Sequence, residues 1–162
     1  MINWKYQQKE IIEFSDFPDL THGFVYRIIH TPSKKSYIGR KILQNTSKVK
    51  LGKKEIAEYE GVVGRRPSYK LVVKESNWKN YWGSNKYLNE LYKTEPKENF
   101  ERQILVFAPS KKLLTYYEVK YQMIYQVLET PEEFFNDNIL GKFYTKDFQD
   151  IDYEDPLEIK KH

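Results

Sequence analysis

The chain has 162 residues, the size of one ordinary domain, and can bury a core without a disulfide or a structural metal. Cysteine is absent, which excludes zinc sites built on thiolates and fits a reducing compartment. The first residues lack the apolar run of a signal peptide or a membrane span, so we expect a cytoplasmic protein with no membrane partner.

The net charge of +4 is distributed unevenly along the chain. Residues 40–83 contain 11 Lys/Arg and 4 Asp/Glu, a net +7, whereas residues 129–162 contain 4 and 10, a net −6. Basic residues mixed with aromatic ones suit a phosphate backbone with stacking on bases, although a solvated surface can have the same composition. The candidate DNA-binding residues of the basic stretch are Arg65, Arg66, Lys70, Lys74, Trp78 and Trp82.

The first predicted elements are an arm and a hairpin. Residues 1–21 carry scattered apolar side chains before any regular pattern, and we interpret them as an N-terminal arm that packs on the domain. Residues 23–30 and 36–42 are rich in β-branched and aromatic types, and turn-forming residues separate them. This pattern predicts a β-hairpin.

The stretch after the hairpin is polar and rich in lysine. Residues 45–64 contain one possible short helix, over residues 53–60, which Gly61 would end. We interpret this stretch as an insertion or a mobile loop, within a basic insertion of about residues 43–80.

The second half of the chain predicts two helices and a third strand. Ser84 can cap a helix over residues 85–93, and residues 100–107 have the composition of a strand. Ser110 opens the longest periodic run, in which apolar residues recur three or four positions apart: Leu113, Tyr117, Tyr121, Ile124 and Leu128.

These elements together predict an α+β fold, with a small three-stranded antiparallel β-sheet flanked by helices. The domain would span residues 22–144, and an acidic tail, residues 145–162, would follow it.

The hairpin holds the most specific pattern: Gly23–Tyr26 (GFVY), then ten residues, then Tyr37–Gly39 (YIG). It resembles the two tripeptides of the GIY-YIG nuclease superfamily, except that the first glycine lies one place early. The order downstream is similar as well, and the layout resembles phage-borne homing-type members. The downstream matches are the WKNYWGS stretch at 78–84, Asn99-Phe100 before a strand, Glu118 on a helix, and Phe135-Asn136.

Tyr26 and Tyr37 lie on paired strands and can face the same way, which would place two phenols over one point of the sheet. One of them could accept a proton from water, but an ordinary tyrosine pKa near 10 requires a nearby cation for this step. The alternative is a pair of half-buried sheet tyrosines without a catalytic role.

Glu118 lies on an aromatic helix surface, with Leu114, Tyr121, Gln122 and Tyr125 as its neighbours, and the nearest helical cation, Lys120, lies on another face of the helix. The resemblance implies that Glu118 is the family's metal-binding glutamate, and its carboxylate suits Mg²⁺ or Mn²⁺. The alternative is an exposed helix glutamate.

Two further site positions follow from the resemblance. Asn136 lies where the family has an aromatic-Asn pair and could orient a phosphate oxygen or a loop, with Asn138 as a rival and a simple turn as the alternative.

The phosphate-binding cation is less well defined. Many relatives place an arginine on the helix about ten residues beyond the second tyrosine, and this position falls at Ser47. Arg40 and Lys41 are the nearest replacements, and Arg65 or Arg66 could fold back across the insertion to the same place.

The sequence therefore predicts a metal-dependent DNA endonuclease that hydrolyses phosphodiester bonds by a single-metal mechanism. Tyr37 or Tyr26 would deprotonate water, Arg40 or Lys41 would neutralise the phosphate, and an ion on Glu118 would stabilise the leaving oxygen. Double-stranded DNA is the expected substrate, and cutting both strands would need a homodimer or two successive nicks. The alternatives are a catalytically impaired DNA- or RNA-binding module and a structural protein on the same fold.

Overall fold

The computed structural model describes residues 2–58 and 68–151. Its strands are β1 (Trp4–Tyr6), β2 (Lys9–Ile11), β3 (Gly23–His30), β4 (Lys35–Ile42), β5 (Gln44–Lys50), β6 (Tyr69–Glu75), β7 (Phe100–Ala108), β8 (Asn138–Ile139) and β9 (Phe143–Tyr144). Its α-helices are α1 (Lys53–Ala57), α2 (Lys86–Thr94) and α3 (Lys111–Ile124). Short 3₁₀ turns lie at Phe14–Asp16, Trp78–Asn80, Lys97–Asn99 and Thr145–Phe148.

The main sheet has five strands in the order β2-β1-β7-β3-β4. The predicted three-stranded antiparallel unit is present as β7-β3-β4. The prediction was nevertheless incomplete, because β1 pairs parallel to β7 and β2 extends that edge, so that the sheet is larger and mixed. Strands of three residues are too short to show an alternating pattern in the sequence.

The two faces of the sheet are covered by different parts of the chain. On one face, Phe24 and Tyr26 of β3 pack with Trp4, Trp78 and Leu88 of α2. On the other face, a second cluster contains Val25, Ile38 and Leu114, the last from α3. Alternation along β3 sends neighbouring side chains into opposite layers, so this strand lies between the two layers of an α/β sandwich.

Arg102 holds the first layer together. It is 1% exposed and lies between two indole rings, with its guanidinium carbon 4.6 Å from the centre of Trp4 and 4.3 Å from that of Trp82. It donates hydrogen bonds of 2.9 Å to the carbonyls of Lys79 and Tyr81. Burial lowers the pKa of Arg102 to about 10, so the guanidinium remains charged at neutral pH.

Residues 45–64 were interpreted as an insertion or a mobile loop, and the loop alternative was wrong for most of the described part. Strands β5 and β6 pair in antiparallel register from Gln44–Glu75 to Lys50–Tyr69 and form a two-stranded ribbon, with α1 after β5. All seven residues of β5 are exposed and most of them are polar. The strand therefore lacks the alternation of apolar and polar residues from which a strand is predicted. The end of the predicted helix and Gly61 lie outside the described residues.

Helix α2 agrees with its predicted position to within one residue. Helix α3 begins after Ser110 as predicted but ends at Ile124, before Leu128, the last residue of the periodic run. Ser110 caps α3, because its hydroxyl accepts a hydrogen bond from the Leu113 amide at 3.2 Å. The cap of α2 is Asn85 rather than Ser84, since the Asn85 side chain accepts from the Leu88 amide at 3.0 Å. No helix in the described ranges has the length and apolar character needed to cross a membrane.

One polar contact joins the end of α2 to the end of β3 and gives a pH-dependent prediction. The imidazole Nε2 of His30 lies 2.6 Å from a carboxylate oxygen of Glu95, and Asn99 donates to the same oxygen at 2.9 Å. Hydrogen bonds from His30 first and Asn99 second lower the pKa of Glu95 below its ordinary value.

Glu95→Gln should therefore destabilise the fold at neutral pH, because a lowered folded pKa contributes stability that is present above the ordinary pKa. The difference from wild type should vanish as the pH falls through the folded pKa of Glu95. Urea denaturation of both proteins from about pH 7 to about pH 3 measures this difference. A difference that stays constant over this range would contradict the assignment.

Candidate active site

A cleft of about 400 Å³ lies at the edge of the main sheet, beside β4. Side chains from both faces of the sheet reach it because β4 is the last strand on that side. Of the residues predicted for the site, it brings together Tyr26, Tyr37, Arg40, Glu118 and Asn136. Its lining is completed by Tyr81, Ser84, Gln122, Asp137, Asn138 and Leu140.

Glycine at position 39 allows the two tyrosines to meet. Gly39 pairs with Tyr26 across β3 and β4, and a Cβ atom on Gly39 would lie 2.5 Å from the Tyr26 hydroxyl and 2.9 Å from a ring carbon of Tyr37. The ring centres of the tyrosines are 6.2 Å apart. The backbone of β4 therefore leaves the space that the Tyr26 hydroxyl occupies.

Both phenols remain protonated at neutral pH in this environment. Tyr26 is 1% exposed, and burial, followed by the neighbouring Tyr81 and Tyr37, raises its pKa well above 10. Burial also raises the pKa of Tyr37, although a hydrogen bond of 3.2 Å with the Ser84 hydroxyl opposes this shift. Tyr37 is the more accessible of the two phenols.

Glu118 extends from α3 into the cleft, and its side chain is only 18% exposed. Burial raises the pKa of this carboxyl, and the charge of Arg40 opposes the shift. The Nε of Arg40 lies 3.8 Å from Oε1 of Glu118, and its Nη1 donates to Thr115 on the same helix. The cation beside Glu118 thus comes from β4 and not from its own helix.

Asn136 is buried and uses both ends of its amide on the backbone of β4. Its Oδ1 accepts from the Ile38 amide at 3.0 Å, and its Nδ2 donates to the Ile38 carbonyl at 2.8 Å. Gln122 donates to the same carbonyl at 3.0 Å. In this arrangement Asn136 orients the strand that carries the site, and its rival Asn138 forms a turn in which it accepts from the Gly141 amide.

Lys41 lies next to the cleft, on the tyrosine side of the sheet. Its Nζ donates to Oδ1 of Asn77 at 2.6 Å and lies 4.2 Å from the ring centre of Tyr81. Burial lowers the pKa of this amine. Lys41 therefore places a cation beside Tyr81, in addition to Arg40 in the cleft.

The residues predicted to contact DNA are divided by the structure. Trp78 and Trp82 are core residues, 0% and 8% exposed, so the expectation that they stack on bases was wrong. Lys70 and Lys74 are exposed on the ribbon, and Lys70 pairs with Glu55. Arg65 and Arg66 lie outside the described residues.

A family model described as the GIY-YIG domain of the putative endonuclease SegE matches residues 4–139. The chain belongs to the GIY-YIG nuclease family. The matched range begins at β1 and includes the ribbon, the cleft residues other than Leu140, and β8. No curated protein and no solved structure matches the chain. Nucleases of the GIY-YIG family generally depend on a divalent metal ion.

Some residues of the GIY-YIG cleft were not identified from the sequence. Tyr81 and Ser84 belong to the WKNYWGS stretch, whose sequence predicted DNA contacts for the tryptophans and a helix cap for Ser84 but no place in the cleft. Gln122 lies one helical turn after Glu118, and this spacing alone predicts that both side chains lie on the same face of the helix. Asp137 stood beside two asparagines in a stretch that also suited a simple turn.

Replacing Gly39 by alanine should lower the free energy of unfolding by about 1–3 kcal/mol, because the new methyl group overlaps the Tyr26 hydroxyl. In a Tyr26→Phe background the same replacement should lower the free energy of unfolding by less, since the hydroxyl oxygen nearest to the new methyl group is absent. A double-mutant cycle measured by urea denaturation gives the coupling.

Gly52→Ala is the matched control for this cycle, because the nearest atom to a Cβ at position 52 is 3.9 Å away. It should cost less than about 1 kcal/mol. If Gly39→Ala costs the same with and without the hydroxyl, the Tyr26 hydroxyl is not the atom that limits the space at position 39.

Proposed function

We propose that this chain is a metal-dependent endodeoxyribonuclease that hydrolyses phosphodiester bonds at the cleft beside β4. The proposal depends chiefly on one observation: Glu118 is a mostly buried carboxylate that lies beside Arg40, in a cleft that also contains Tyr26 and Tyr37. Membership of the GIY-YIG family supports nuclease chemistry at this cleft.

The groups of the cleft fit a hard divalent cation such as Mg²⁺ or Mn²⁺. The carboxylates of Glu118 and Asp137 offer oxygen atoms as metal ligands. Mg²⁺ commonly binds one or two carboxylates while it keeps several waters and contacts the substrate phosphate. Within the described residues no three carboxylate, histidine or cysteine side chains cluster, so a cage made only of protein ligands is not available there. Glu118 would hold the ion, which when bound would neutralise negative charge on the reacting phosphate and the leaving oxygen.

We assign the attacking water to Tyr37, because Tyr37 is more accessible than Tyr26 and already bonds to Ser84. Its Oη can accept a hydrogen bond from the water and orient it. Since the pKa of Tyr37 is raised, its phenol keeps its own proton at neutral pH, so Oη orients the water through this hydrogen bond and the proton that the water loses passes to solvent.

Arg40 is the proposed phosphate ligand. Its side chain is 41% exposed, and its contact with Glu118 is long enough for the guanidinium to turn toward a phosphate. A planar fork can bind two phosphate oxygens at once. Lys41 supplies a second charge on the tyrosine side, and Asn136 acts as a positioning residue through Ile38.

The proposed substrate is double-stranded DNA, in keeping with the basic ribbon that follows β4. One cleft can cut one strand, so two cuts would need a homodimer or successive nicks. The similarity of the sequence layout to phage-borne members supports a homing-type role.

A catalytically impaired nucleic-acid-binding module is the second candidate. It is favoured by the position of Ser47, where many relatives carry an arginine on a helix and this chain has an exposed strand of the ribbon. Such a module would bind nucleic acid without cutting it.

Plasmid nicking separates these candidates. Wild-type protein with Mg²⁺ should nick supercoiled DNA and EDTA should stop it. Glu118→Gln should reduce the rate by about 10² to 10⁴, because a neutral amide is a poor ligand for a hard cation. Tyr37→Phe should also reduce the nicking rate by at least about 10², because the hydroxyl that orients the water is removed.

Glu98→Gln is the matched control, since this exposed carboxylate lies outside the cleft lining, and it should nick at the wild-type rate. A gel shift should show that Glu118→Gln still binds DNA. Undiminished nicking by Glu118→Gln would remove this residue from the mechanism, and salt-sensitive binding without any nicking by wild type would select the impaired module.

A further inference from the structure

The ribbon of β5 and β6 has one face that combines apolar and basic side chains. Because side chains alternate along a strand, the register places Tyr69, Leu71 and Val73 of β6 on the same face as Lys48 and Lys50 of β5. We call this set the apolar ribbon face. The opposite face carries Lys70 and Lys74, with α1 attached through the ion pair between Lys70 and Glu55.

The apolar ribbon face is open among the residues that the structure describes. Tyr69, Leu71 and Val73 are 58%, 67% and 55% exposed. None of the residues of β5 and β6 belongs to either hydrophobic cluster of the domain. A row of three large exposed apolar side chains marks an interaction surface more often than an ordinary surface.

The charge on this face selects an anionic partner. Neither Lys48 nor Lys50 has a carboxylate within 4 Å in the described part of the chain. The acidic residue of the same face, Glu75, lies at the base of the ribbon and accepts a hydrogen bond of 2.7 Å from the Trp78 indole. The outer part of the face is therefore positive and apolar together.

The base of the ribbon is fixed to the strand that carries the cleft. Only Leu43 separates β4 from β5, and the Ser76 amide donates to the Leu43 carbonyl at 2.7 Å directly after β6. The Ser76 hydroxyl donates to the Ile42 carbonyl at 2.5 Å, and Asn77 accepts from Lys41. A molecule that holds the ribbon would be held at a defined position relative to the cleft.

We propose that the ribbon enters the major groove of duplex DNA and lays the apolar ribbon face against it. The inference rests on the proposed function, which makes DNA the substrate of the adjacent cleft. Each strand has seven residues and extends about 20 Å, or roughly six base pairs, and a two-stranded ribbon fits a groove about 12 Å wide. Lys48 and Lys50 contact phosphates, and Leu71 and Val73 contact base edges such as thymine methyl groups.

The first test is a binding titration with a random-sequence duplex in EDTA, where no cutting occurs. Replacing both lysines, Lys48→Ala with Lys50→Ala, should reduce the slope of log K against log salt by about 2, which is the loss of two phosphate contacts. The matched control is Lys5→Ala with Lys9→Ala, on β1 and β2 at the opposite edge of the sheet, and its slope should equal that of wild type. An unchanged slope in the ribbon variant, or an equal reduction in the control, would overturn the proposal.

A second variant tests the apolar part of the face separately from its charge. Leu71→Thr keeps a strand-forming residue and should weaken binding about fivefold without a change of slope, because it removes apolar contact but no phosphate contact. Unchanged affinity would overturn this part. Loss of a protein dimer with unchanged DNA affinity would assign the face to a second copy of the chain instead.

Dimethyl sulfate identifies the groove, since it methylates guanine N7 in the major groove and adenine N3 in the minor groove. Wild-type protein should protect N7, and the lysine double variant should lose this protection at equal occupancy. Protection of N3 alone would place the ribbon in the minor groove and overturn the proposal.

These measurements are independent of the cutting reaction. If wild type binds as described but never nicks plasmid with Mg²⁺, the proposed nuclease function fails while the ribbon inference stands. If nicking is normal and the salt slope of the ribbon variant is unchanged, only the ribbon inference fails.

Discussion

The side-chain amide of Asn136 closes the exposed edge of β4, and the geometry of the cleft depends on this pairing. A strand at the edge of a sheet presents unpaired amides and carbonyls, and Asn136 satisfies both groups of Ile38 in the way that a neighbouring strand would. The backbone around Ser36 is closed by Phe135 and Glu133 in the same manner. The loop after α3 is thereby held against β4, and the cleft forms between them.

This closure explains why one short tripeptide carries so much of the site. Within Tyr37–Gly39, the first residue presents its hydroxyl to the cleft, the second is the anchor for Asn136 and Gln122, and the third makes room for Tyr26. A substitution at any one of these three residues that shifts the backbone of β4 would therefore displace the other two as well.

The electrostatics of the cleft follow from burial. Glu118 and Tyr26 have both lost most of their contact with water, and burial raises the pKa of each. Arg40 offsets part of the cost of the buried carboxylate at a distance of 3.8 Å. A carboxylate in this condition gains more from a divalent cation than an exposed one does, because charge interactions are weakly screened away from water.

The sequence predicted the strands and helices that have a regular pattern. Strand β3 has the predicted bounds because its β-branched residues are flanked by turn formers, and α3 was visible from its periodic apolar residues. The N-terminal strands were missed because they are short, and β5 because its side chains are mostly polar.

The same limits apply to the site. Pattern and resemblance located the tyrosines and Glu118, since their spacing along the chain determines their neighbours. The burial of Trp78 and Trp82 could not be read from the sequence, because aromatic residues among lysines suit both a core and a DNA surface. The sequence could not predict the two hydrogen bonds between the Asn136 side chain and the Ile38 backbone, since the two residues are 98 positions apart.

The most direct test of the account is the binding of Mn²⁺ by the protein alone, measured from the electron paramagnetic resonance signal of free Mn²⁺. The account predicts that wild type and Glu98→Gln remove one ion per chain from solution and that Glu118→Gln does not, with the fold of each variant checked by circular dichroism. Equal binding of Mn²⁺ by wild type and Glu118→Gln would contradict the central claim that Glu118 holds the metal ion.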